Sequence, residues 1–236
     1  MFETNTMKCW ICENKGDTVE HLIKGSDLRN DFGEVSQTKP LYFHTDQKKN
    51  IPIKSIKKSQ RLKSDAPMCN YCNSNRTQPF DRAWENLSSY FSKNWEQIKH
   101  DKSFNLTSVF PGSEKKSLLD VHLYFVKLFG CRIVEDKIPI NIKEFSDSLC
   151  KTIAHKNIYL AIGSKPVLLK TPYAGISPIE ALKQNNKIVF ASWFYIVGQF
   201  AVQLFYSTVP NNDNALRNTW QPNIESNILN LAEFET

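Results

Sequence analysis

The sequence predicts an α+β protein, and three observations carry that prediction. Two C-x-x-C pairs, Cys9/Cys12 and Cys69/Cys72, fall within residues 1–100. Phe80, Ala83, Trp84, Leu87, Phe91, Trp95 and Ile98 recur at helical spacing. Beyond them, short runs of aromatic and β-branched residues alternate with further helical patterns. The expected organisation is a cysteine-bearing module at 1–100 and a mixed helix and antiparallel-strand domain at 101–236. With 41% of residues apolar, the chain can bury a real core.

The helix over 80–98 is the clearest element. Thr77 is placed to cap it, and Pro79 suits a first helical turn. Leu118, Val121, Phe125, Leu128 and Phe129 predict a second helix, and Ile142, Phe145, Leu149 and Ile153 a third. Residues 158–162 and 167–170 read as strands around a Gly163-Ser164-Lys165-Pro166 turn. The stretch 188–206 has no charged residue, which raises a membrane span. Its Ser192, Gly198, Gln199 and Gln203 favour two buried strands meeting near Gly198 instead. Ile224, Ile228 and Leu231 predict a closing helix.

Residues 1–4 show neither a basic start nor an apolar stretch, so a cytoplasmic, reducing environment is expected. There, short-spaced cysteine pairs point to metal before disulfide. One C-x-x-C turn can bring two thiolates to a single ion, and two pairs supply a tetrahedron of soft ligands. Cys9, Cys12, Cys69 and Cys72 are therefore expected to hold a structural Zn²⁺, with no position left for water. Cys131 and Cys150 lie on apolar helical patterns and read as buried, unreactive thiols.

The net charge is +6, and the excess is uneven. Lys48, Lys49, Lys54, Lys57, Lys58, Arg61 and Lys63 fall in one segment without Asp or Glu. Such a run suits phosphate contact, or else a solvated loop. Asp81 and Glu85 read as a solvated helix face, and His100, His122 and His155 as structural or exposed.

Cys9-x-x-Cys12, Glu20-His21 and Cys69-x-x-Cys72-Asn73 with Arg76 together resemble the HNH endonuclease pattern over residues 8–98. The resemblance implies a ββα-metal, or treble-clef, module that cleaves phosphodiesters with one divalent metal such as Mg²⁺. It implies His21 as general base, Glu20 as acidic metal ligand and Asn73 as the polar residue completing that metal site. Asn75 is a second candidate for the Asn73 role. Lys54, Lys57, Lys58, Arg61, Lys63 and Arg76 would then contact nucleic acid, DNA being expected before RNA. The family's middle Asn or His has no counterpart between Ser59 and Met68. Two other functions fit the same residues. One is a non-catalytic zinc module that binds nucleic acid; the other is a zinc-stabilised protein-interaction domain whose partner docks on 101–236.

Overall fold

The computed structural model describes residues 7–45, 47–164, 173–209, 216, 218–223 and 225–234. The fold is mixed α+β, as the periodicities predict. In chain order its elements begin with helix α1 (Gly25–Phe32) and the hairpin of β1 (Leu41–Phe43) and β2 (Ile51–Ile53). A π-helical turn at Tyr71–Arg76 runs into the long helix α2 (Gln78–Asp101). Then come β3 (Ser103–Asn105), the single turn α3 (Leu106–Val109), α4 (Glu114–Glu135) and α5 (Ile142–Lys151). Strands β4 (Ile158–Ser164), β5 (Ala174–Ile176), β6 (Glu180–Gln184), β7 (Lys187–Val197), β8 (Phe200–Ser207) and β9 (Ile228–Asn230) follow.

All seven predicted positions of the α2 stripe are buried. Trp84 is their centre. Its ring lies 4.8 Å from Phe125 of α4, 5.7 Å from Tyr195 of β7 and 6.2 Å from Phe200 of β8. The core is thus continuous across residue 100, and α2 and α4 both lie on the main sheet. That sheet is antiparallel with order β4-β8-β7-β5, and β6 also pairs with β7. Strands β7 and β8 occupy the charge-free stretch and meet at Gly198 and Gln199. Gly198 has φ of 56° there, and a Cβ on it would strike the Asp31 carboxylate of α1. No helix among the described residues is long and apolar enough to cross a membrane.

Some expectations are corrected. The closing helix is strand β9, paired antiparallel with β3. Only Leu229 of β9 is buried and its neighbours are exposed, so the burial period is two and not that of a helix. Ile224 and the expected strand at 167–170 lie outside the described residues. The third helix ends at Lys151, with Thr152 left-handed at φ of 53°, and Ile153 is exposed beyond it. Cys150 is also exposed, whereas Cys131 is buried as expected.

Candidate functional site

The first C-x-x-C pair sits in a tight turn. Cys9 N–H donates to the Asn14 carbonyl at 2.7 Å, and Glu13 N–H donates back to the Cys9 carbonyl at 2.8 Å. Trp10, inside this turn, packs on Gly130 of α4, where a Cβ would clash with its ring. The second pair lies at the π-helical turn, with Cys72 N–H 3.4 Å from Cys69 Sγ. Residues 17–22 then run antiparallel to 62–68, with Thr18 and Met68 exchanging backbone hydrogen bonds of 2.8 and 2.9 Å. This ribbon folds one cysteine pair onto the other.

The four Sγ atoms lie within 4.8 Å of one another, and Cys12 and Cys69 approach to 3.5 Å. A tetrahedral ion with sulfur at about 2.3 Å needs S···S separations of about 3.8 Å, so the set matches one ion. Burial, followed by the neighbouring thiols, pushes Cys72 well above the ordinary thiol range when no cation is present. Four thiolates this close require a metal to hold their charge. Among the described residues, these cysteines are the one group of three or more His, Cys, Asp or Glu able to hold an ion.

Asn73 and His21 both belong to the surroundings of this ribbon. Asn73 Nδ2 donates to the Val19 carbonyl at 3.1 Å and lies 3.3 Å from Thr18 Oγ1. Its amide thus pins the strand that carries His21. The His21 ring is half-buried, and burial lowers its pKa. Glu20 opposes that shift, while Lys63 and Lys24 reinforce it. The ring is therefore neutral at pH 7, and its Nε2 is shielded without a hydrogen-bond partner.

Glu20 and His21 diverge, as adjacent strand residues must. Glu20 turns inward and is 7% exposed. Its Oε2 lies 2.8 Å from Lys127 Nζ of α4, and its Oε1 accepts the His21 N–H at 3.1 Å. Lys127 is fully buried, and its ammonium also lies 2.8 Å from Asp81 Oδ1 and 3.4 Å from Thr77 Oγ1. Burial alone would lower the Lys127 pKa, but Glu20 and then Asp81 outweigh it and keep the ammonium charged. The chain of charges continues outward through Lys24, 3.1 Å from Asp81 and 3.3 Å from Glu85.

Three sequence expectations change here. Glu20 is not a free metal ligand, because a buried ammonium lies 2.8 Å from one of its oxygens and already neutralises it, while the other accepts a backbone N–H. Asp81 is not on a solvated face, since it closes the same ion network. Thr77 occupies the N-cap position of α2, but its side chain makes no capping bond; its hydroxyl donates back to the Cys72 carbonyl at 3.0 Å. Glu20, held by Lys127 and the His21 N–H, therefore does not fit the divalent ion that the HNH resemblance implies there.

No protein-family model, no curated protein and no solved structure matches this chain.

The basic segment is available to solvent. Lys54, Lys57, Lys58 and Arg61 are exposed and Lys63 is half-buried. Among the described residues none of them forms an ion pair. Arg76 lays its guanidinium over the exposed Tyr71 ring, 5.4 Å from the centroid.

Sequence reading missed Lys127 and the hub at Asp27. The signal for the first was present, because Lys127 is a single charge within the apolar run 121–131 of a helix. Asp27 is buried and accepts from Trp84 Nε1, Ser88 Oγ and Tyr195 Oη at 2.8, 2.7 and 2.6 Å. Nothing in its local sequence marks it.

Proposed function

We propose that this chain is an HNH-type endonuclease acting on nucleic acid, with a treble-clef module held by zinc on Cys9, Cys12, Cys69 and Cys72. The observation that carries the reading is the Asn73 amide on the Val19 carbonyl at 3.1 Å, beside the four-sulfur cluster. It ties the helix start to the strand that carries His21, which supports the module order of the HNH resemblance. Four sulfurs are the donor set of structural zinc.

In this reading His21 takes the proton from the attacking water, which a neutral imidazole does well near pH 7 once substrate binding opens its shielded Nε2. Lys63 pairs directly across the ribbon from His21, which puts its charge on the same ribbon to offset that of a phosphate. Lys54, Lys57, Lys58, Arg61 and Arg76 supply backbone contact. No step is assigned to a divalent ion at Glu20, since Lys127 holds that carboxylate.

That same pairing favours a second reading, nucleic-acid binding without hydrolysis. One experiment separates the two. Zinc-loaded parent and His21→Ala are incubated with single- and double-stranded DNA and RNA, with and without Mg²⁺ or Mn²⁺. Endonuclease action predicts cleavage by the parent, lost in the variant at unchanged zinc content. A variant that cuts as well as the parent rejects His21 as base. Salt-dependent binding with no cleavage selects the second reading, and neither binding nor cleavage removes both.

A further inference from the structure

An ammonium offers three donors, and Lys127 finds three acceptors: Glu20, Asp81 and Thr77. Two of them are carboxylates approached to 2.8 Å, and the lysine has no exposed surface. This is the environment of a bound cation, except that the cation is part of the chain. We propose that Lys127 is the resident cation of the Glu20 pocket, filling the place a divalent ion would take and positioning His21 through Glu20.

The charge arrangement argues for it. A second cation at Glu20 would face Lys127 directly, with Lys24 3.1 Å from the other carboxylate. Displacing Lys127 would strand a positive charge inside the core, among Tyr124 and the α2–α4 contacts. The positioning role follows from the two oxygens of Glu20. One is fixed by Lys127, and the other accepts the His21 N–H, so α4 holds the His21 backbone through a single carboxylate. The segment 101–236 thus contributes a residue to the centre of the N-terminal module. This holds whether or not the chain cleaves nucleic acid.

The test is a Mn²⁺ titration of the zinc-loaded full chain, read by electron paramagnetic resonance. The parent and Glu20→Gln should show the same Mn²⁺ binding into the millimolar range. Lys127→Ala should gain one Mn²⁺ site, absent from the double variant Lys127→Ala/Glu20→Gln. A parent Mn²⁺ site that Glu20→Gln abolishes overturns the proposal, and this comparison decides even where Lys127→Ala fails to fold. A folded Lys127→Ala with no new site also overturns it. Positioning is read separately by hydrogen exchange. The His21 amide should exchange faster in Lys127→Met, while the amides of the Cys9–Cys12 turn do not change. An unchanged His21 amide removes the positioning role.

Discussion

Asp27 accepts a 2.6 Å hydrogen bond from Tyr195, joining α1 to the main sheet across most of the chain. The same Tyr195 oxygen accepts the Lys24 N–H at 2.9 Å, just ahead of α1. Asp27 gathers three buried donors, and among the described residues it forms no ion pair. Stranding a buried donor costs on the order of 1–3 kcal/mol. Asp27→Ala should therefore destabilise the chain by several kcal/mol, and Tyr195→Phe by about 1–3 kcal/mol. Urea unfolding measures both, and a near-neutral Asp27→Ala would contradict the hub.

The same carboxylate carries a pH signature. Burial raises the Asp27 pKa above the ordinary value, although its three hydrogen bonds oppose the shift. The folded chain then binds this proton more tightly than the unfolded one. The Asp27 contribution is full below the unfolded aspartate pKa and declines as pH rises through the folded one. Asp27→Asn should flatten that part of the stability curve. An unchanged slope relative to the parent would show that Asp27 does not titrate abnormally.

Two histidines impose the opposite slope. His122 is held neutral by burial, with a pKa near 3, and accepts the His155 N–H at 3.1 Å. Burial likewise lowers His155 to about 4. The unfolded chain takes up these protons first as pH falls below the ordinary histidine range. Stability present above about pH 6.5 is thus lost in acid, by about 1.4 kcal/mol per unit for each histidine. His122→Gln keeps an acceptor and removes one titration, so its stability should fall less steeply between pH 6.5 and 4. Parallel curves for parent and variant would reject this assignment.

The sequence made some of this legible and hid the rest for physical reasons. The α2 stripe and the β7–β8 pair were readable because burial imposes a period on neighbouring residues. The cysteine cluster was readable because each C-x-x-C pair brings two thiols together locally, and two such pairs suit one ion. Ile228 and Leu231 have helical spacing, but the buried residue between them is Leu229, which pairs opposite Phe104. The role of Glu20 was unreadable because its partner, Lys127, arrives from a distant helix. A motif shows which residue types are present, not which tertiary contact claims them first.

The basic segment makes a prediction in salt. Replacing Lys54, Lys57, Lys58 and Arg61 by Ala should weaken nucleic-acid binding at low salt. It should also reduce the slope of log Kd against log salt by about 0.9 per lost phosphate contact on duplex DNA. Fluorescence anisotropy across a salt series measures this. An unchanged slope would place the nucleic-acid surface elsewhere on the chain.

The general-base role proposed for His21 depends on one ion joining the two cysteine pairs. Zinc K-edge X-ray absorption on protein purified without added metal tests that most directly. The account predicts one zinc per chain, bound by the four clustered cysteines with sulfur at about 2.3 Å. Protein that folds with no zinc, or zinc with oxygen or nitrogen among its ligands, would contradict it.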